Sequence, residues 1–154
     1  MIKINIKNFK NTLNKFSTGI TVISINHKEK YIGKTVNSFA SLSLNPPLVL
    51  FSLDKKSSSI KNYINSSFIG INILSRNQKL ISNHFSMRKP DWEKTKCFIT
   101  SDFVPMINGC VANLNCKKKS TLSQGDHVIF ICEVSQIKFD DSKKPLIYFN
   151  SKYI

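Results

Sequence analysis

Apolar positions along the chain fall into short runs rather than long stripes. Leu48 to Leu53 is almost uninterruptedly apolar, follows Pro46-Pro47 and stops at Asp54-Lys55-Lys56, which predicts a brief buried strand. Thr21 to Ile25, Tyr31 to Val36, Phe68 to Leu74, Cys110 to Lys117, His127 to Phe139 and Pro145 to Asn150 alternate in polarity or carry β-branched side chains, and predict further strands. Asn26 to Lys30 makes the first pair a hairpin, with His27 an exposed turn residue, and Gln124-Gly125-Asp126 makes another turn.

Helical spacing is confined to three stretches. Phe9, Leu13 and Phe16 share one face of an N-terminal helix, and Ser57-Ser58-Ser59 caps a helix running to about Ile64 with Ile60 and Ile64 inward. Arg76 to Phe85 places Leu80, Ile81 and Phe85 inward and His84 on the polar side. Met87 to Lys96 has neither period and reads as a loop covering a pocket, with Trp92 as its packing anchor. Short strands, hairpin-like turns and few helices predict a mainly β fold, a closed or partly closed antiparallel β-barrel with a few short helices.

The length of 154 residues suits a single domain spanning 1–154, and 41% apolar and 10% aromatic residues argue for a packed core rather than disorder. No apolar run has membrane-spanning length and the N-terminus lacks a signal-peptide core, so a cytoplasmic location is expected. Cys97, Cys110, Cys116 and Cys132 form no C-x-x-C pair and lie in or beside strand-like segments, as reduced thiols do. The net charge of +14 raises a nucleic-acid-binding alternative. Against it, Arg76 and Arg88 are the sole arginines and the lysines are dispersed, which fits a solvated basic surface attractive to anionic ligands.

Hydrolytic machinery is missing. The chain has no G-x-S-x-G, H-E-x-x-H, Walker or G-x-G-x-x-G motif, and nine carboxylates and three histidines leave little for acid–base work. No catalytic acid or base and no metal site is expected, which turns attention to a bound reactive cofactor. Lys34 to Ser59 presents two polar loops around the Leu48 to Leu53 strand, and their chemistry suits flavin mononucleotide. Lys55, Lys56, Ser57, Ser58 and the start of the next helix offer donors to a phosphate. Thr35, Asn37, Ser38 and Ser41 suit the ribityl chain and ring edge, and Phe39 or Phe85 suits a ring face. On composition alone, a merely solvated Ser-rich loop remains the alternative.

The order of motifs is more specific. Thr18 to Ile23, Thr35 to Leu50, Ile71 to Ser75 with Gln78, Gly125-Asp126-His127, and Leu146 to Phe149 with Tyr153 together resemble the flavin reductase-like family, the reductase component of two-component flavin-dependent monooxygenases. The resemblance runs from about Phe9 to Tyr153. It implies an antiparallel, Greek-key-like FMN-binding split barrel, usually a homodimer, in which NADH or NADPH reduces FMN or FAD for a partner oxygenase. Residue by residue, it implies that Thr35, Asn37, Ser38 and Ser41 meet the ring and ribityl, that Lys55, Lys56, Ser57 and Ser58 form the phosphate loop, that Phe85 lies beside the flavin, and that His127 meets the nicotinamide nucleotide. The lysine-rich stretch Met87 to Phe103 departs from the family pattern. A flavoprotein of the same fold acting on another bound substrate is the nearest alternative.

Overall fold

The strands form where the side-chain period is two and one face can be buried. The computed structural model describes residues 1–154. In chain order its elements are α1 (Ile6–Leu13), β1 (Thr18–Gly19), β2 (Thr21–His27), β3 (Lys30–Val36), β4 (Ala40–Leu44), β5 (Pro47–Asp54), α2 (Ile60–Asn65), β6 (Phe68–Ile73), a 3-10 turn (Arg76–Gln78) running into α3 (Lys79–Ser86), β7 (Cys97–Ile99), β8 (Pro105–Ile107), β9 (Ala112–Gln124), β10 (His127–Phe139), β11 (Ile147–Phe149) and β12 (Lys152–Tyr153). Seven strands make one antiparallel sheet in the order β3-β2-β6-β9-β10-β5-β4. The sheet curls without closing, so β3 and β4 remain its edges. Two small sheets, β1-β11-β12 and β7-β8, complete the fold.

Two apolar clusters hold the sheet. In the larger, Val49, Phe51 and Leu53 of β5 meet Val128, Phe130 and Cys132 of β10, and Phe51 stacks on Phe130 with ring centroids 4.9 Å apart. Tyr63 of α2 enters the same cluster fully buried, and its hydroxyl is satisfied by donating to Ile23 O at 2.9 Å. The second cluster joins Ile20, Val22, Leu74, Phe85, Ile107, Cys110 and Leu146. All four cysteines are free thiols, as their spacing suggests.

Several expectations need correction. Tyr63, not Ile64, fills the core from α2, and Ile64 is exposed. On α3 the inward residues are Ser82 and Phe85, whereas Leu80 is exposed. The apolar residues expected to face inward from the N-terminal helix are exposed as well, Phe9 and Leu13 on α1 and Phe16 beyond its end. The first polar loop is half strand: β4 pairs with β5 through Ala40↔Leu50 and Leu44↔Pro47. β6 is buried on both faces because the β7–β8 hairpin covers its polar side. There Asn72 donates to Val22 O and accepts from Ile107 N and Asn113 Nδ2, leaving neither amide atom unpaired.

Candidate functional site

Three loops converge at one end of β5. The turn between β9 and β10 brings His127 opposite Asp54 in the β10–β5 register. Gly125 turns this corner at φ +52°, a conformation that costs glycine little. Lys55 then clamps the two loops together: its backbone N–H donates to Asp126 O at 2.9 Å and its ammonium to Gly125 O at 2.6 Å. The loop between β3 and β4 is tied to the same strand by Ser38, whose hydroxyl donates to Ser52 O at 2.9 Å and accepts from Ser52 N at 3.0 Å.

These loops enclose three adjoining cavities. The central one, about 220 Å³, is lined by Lys34, Thr35, Asn37, Ser57 and His127 among others. On one side it shares Lys34, Asp54 and Ser57 with a cavity of about 730 Å³ that also meets Lys56, Ser58 and the segment Ser86 to Pro90. On the other it shares Asn37 and Ser38 with a cavity of about 410 Å³ bounded by Leu13, Phe16, Thr18, Phe39, Ala40 and Tyr148. A groove therefore runs from cationic and hydroxyl-bearing residues at one end to apolar and aromatic residues at the other. Thr18 Oγ1, on the apolar side, is buried with no hydrogen-bond partner.

The groove brings together Thr35, Asn37, Ser38, Lys56, Ser57, Ser58 and His127. Within that set the roles differ from those their residue types suggest. The Thr35 hydroxyl donates to Ser82 O at 2.7 Å and the Ser38 hydroxyl is engaged with β5, so these side chains hold the loop. Asn37 and Lys56 make no side-chain hydrogen bond within the chain and are free to meet a ligand, and Ser57 Oγ has only Ser59 Oγ, at 3.4 Å. Ser41 is exposed on β4 and Lys55 is occupied at Gly125, and neither lines these cavities. Phe85 is fully buried beneath β3, packed on Gly33 and on Trp92 at 4.8 Å between centroids, and lines none of the three cavities.

His127 is oriented by its neighbour. Its Nδ1 lies 2.7 Å from Asp126 Oδ1, and since an ionised carboxylate only accepts, Nδ1 carries the proton and Nε2 is left free. The same hydrogen bond, reinforced by electrostatic attraction to that ring, holds the Asp126 carboxyl below the usual carboxylate range. The loop expected to cover a pocket from Met87 onward does border one, through Met87 to Pro90, whereas Lys34, Asp54, Thr18 and Tyr148 were not among the expected site residues. Lys34 and Asp54 bracket the polar loops and were within reach of sequence reasoning; the others arrive through non-local packing.

Comparison with known proteins follows the same lines. The family described as "Flavin reductase like domain" matches residues 13–154. The FMN reductase (NADH) SmoA of Agrobacterium fabrum is 38% identical over 130 residues, covering 84% of this chain and 75% of SmoA. HsaB of Mycobacterium tuberculosis, the reductase subunit of a flavin-dependent monooxygenase, is 33% identical and covers 98% of this chain and 82% of its own. The solved structure of flavin reductase PheA2 superposes with a TM-score of 0.91 at 34% identity, over 98% of this chain and 97% of PheA2.

Proposed function

The chain belongs to the flavin reductase-like domain family, and we propose that it is an NADH-dependent flavin oxidoreductase supplying reduced FMN or FAD to a partner monooxygenase. The observation that carries the reading is the central cavity, where Ser57, Asn37 and His127 meet across two loops and a turn. It and the adjoining 730 Å³ cavity fit the cofactor: the free ammonium of Lys56 with the hydroxyls of Ser57 and Ser58 for the phosphate, and backbone with Asn37 for the ring edge. When bound, a flavin accepts a hydride from the nicotinamide. Lys56, Ser57 and Ser58 anchor the phosphate, Thr35 and Ser38 keep the ring-side loop in place, and Phe85 supports that wall from beneath β3. Lys55 acts one step back by holding the phosphate loop against the turn of His127, whose free Nε2 orients the nicotinamide nucleotide. Such positioning suffices because the hydride passes between two ligands and needs no side-chain acid or base.

The same reading includes a homodimer. The exposed Phe9, Leu13 and Phe16 and the exposed Leu42 and Leu44 of β4 leave an apolar face beside the 410 Å³ cavity, which a second copy would cover. A single domain in a reducing cytoplasm is consistent with four free thiols, and no helix is long and apolar enough to cross a membrane. A nucleic-acid role is not favoured, since the relatives are flavin reductases.

The deciding experiment is anaerobic NADH oxidation by the purified protein with FMN, FAD or neither. Flavin bleaching stoichiometric with NADH loss is expected, and no flavin-dependent NADH loss would overturn the assignment. Lys56→Ala with Ser57→Ala should weaken FMN binding roughly tenfold or more. His127→Ala should slow reduction by NADH while leaving reduction by dithionite unchanged.

A further inference from the structure

Two parts of the surface carry unmet strand chemistry. The first is the segment 1–5, where Ile2 and Ile4, with Ile6 behind them, alternate with Lys3 and Asn5 in the period of a strand that has one apolar face. It joins no sheet, and Ile2 is 84% and Ile4 77% exposed. Its hydrogen bonds run to α1 alone: Asn5 Oδ1 accepts from Asn8 N at 2.8 Å, Asn5 O from Phe9 N at 2.9 Å and Lys3 O from Asn8 Nδ2 at 3.4 Å. The family match begins only at residue 13, beyond this segment.

The second is β4, at the edge of the main sheet. It pairs with β5 on one side and makes no backbone hydrogen bond on the other. Natural sheet edges are protected by charges, bulges or a covering element. The opposite edge, β3, carries Lys30 and Lys34 and lies against α3, with Thr35 Oγ1 donating to Ser82 O at 2.7 Å and Lys34 Nζ to Ser86 O at 3.1 Å. On β4 there is only an irregularity in register between Ser41 and Ser43. No charged residue occurs from Thr35 to Leu53 in a chain of net charge +14, and Leu42 and Leu44 are exposed, Leu44 at 93%. A lysine-bearing strand meets no charge repulsion there.

We propose that residues 1–5 of one copy add as a strand to the open edge of β4 in a second copy, and reciprocally. The proposal rests on the reading that a second copy covers this face. The five residues match the five of β4, the backbone groups of both find partners, and Ile2 and Ile4 lie against Leu42 and Leu44. The exchange runs between copies because α1 carries the segment away from its own sheet. Leu13, at the last turn of α1, shares the 410 Å³ cavity with Ala40, and the eight residues of the helix set Asn5 roughly 12 Å back from it. An arm of roughly 17 Å would spend most of its length returning to its own β4. Reciprocal exchange about a two-fold axis closes the contact at two copies.

Sedimentation velocity over a concentration series gives the dimer Kd for wild type, Ile2→Ser with Ile4→Ser, Leu44→Ser, and all three together. All three side chains are exposed in the single chain, so its thermal unfolding should be unchanged. Each set should raise Kd about tenfold or more, and the triple variant should stay within about twofold of the weaker set, because both remove one contact. In a Cys97→Ser background, chains with Ile4→Cys mixed with chains with Leu42→Cys should give a covalent heterodimer with a short bismaleimide. Equal linking of Leu42→Cys chains to one another would show β4 pairing with β4. A link within one chain as the main product of a chain bearing both substitutions would show the arm on its own sheet. Either result overturns the exchange. A dimer whose Kd stays within about twofold in every variant refutes the arm and leaves the dimer reading standing, whereas a chain monomeric at every concentration refutes both.

Discussion

Ser38→Ala removes a side chain that stands in for a strand. β4 pairs with β5 only as far as Leu50, so beyond that point the outward N–H and C=O of Ser52 have no ladder partner. Ser38 Oγ supplies both, at 3.0 and 2.9 Å. Each such bond contributes about 0.5–1.5 kcal/mol net, or roughly 1–3 kcal/mol for the pair. The site is half-buried and water can reach the freed groups, so a loss of about 1–2 kcal/mol is expected. For a chain of this size that lowers Tm by roughly 2–8 °C. The same loop carries Asn37, which borders two of the cavities, so freeing it should weaken FMN binding up to about tenfold. Differential scanning calorimetry with flavin fluorescence titration reads both effects, and Ser38→Thr, which keeps the hydroxyl, should restore most of each. A Tm within about 1 °C of wild type together with unchanged FMN affinity would refute the tether.

Three further outcomes follow from the packing and the charges. A Cβ at Gly33 would stand 2.5 and 2.6 Å from Phe85 Cδ1 and Cε1, so Gly33→Ala should cost about 1–3 kcal/mol in urea unfolding, partly recovered by Phe85→Leu in the same chain. Native protein should release one thiol's worth of signal to a soluble disulfide reagent, from half-exposed Cys97, and all four after unfolding, since burial pushes Cys110, Cys116 and Cys132 up to about 12. Hydrogen bonds from Lys143 and Ser142 lower Asp140 from 3.8 to about 2, so its contribution is present above the ordinary carboxylate pKa and lost as pH falls through about 2. The Tm difference between wild type and Asp140→Asn should therefore stay constant near neutrality and shrink between pH 4 and pH 2.

Local pattern revealed the strands well. The apolar run after Pro46-Pro47 became β5, and the alternation after Gly125 became β10 over the whole of His127 to Phe139. What period could not reveal was which face meets protein. The alternation in β6 does not show that its Asn72 face lies under the β7–β8 hairpin, and Leu80 looked buried because helical spacing alone cannot show that α3 turns Ser82 toward β3. At the site, residue type does not show which hydroxyls are already engaged within the chain. Hydroxyls at Thr35 and Ser38 read as ligand donors, and both are spent on backbone carbonyls, a pairing set by separations of 47 and 14 residues that no local motif encodes.

The distance in sequence between the loop after β5 and His127 is bridged by register. Phe51 stacks flat on Phe130 in the buried cluster, and that pair fixes β10 against β5 so that His127 falls opposite Asp54. Because side chains alternate, a slip of one residue would turn Phe130 out of the core and carry His127 to the other face of the sheet. The core cannot accept such a slip, since burial of an aromatic side chain is worth about 1.5–3 kcal/mol and both rings would lose their place. The position of the only histidine in the groove is therefore enforced by apolar packing several residues away, and Lys55 needs only to close the last gap between the two loops. On the role proposed for His127, a change at Phe51 or Phe130 should accordingly slow reduction by NADH as well as lower Tm, although neither ring lines the groove.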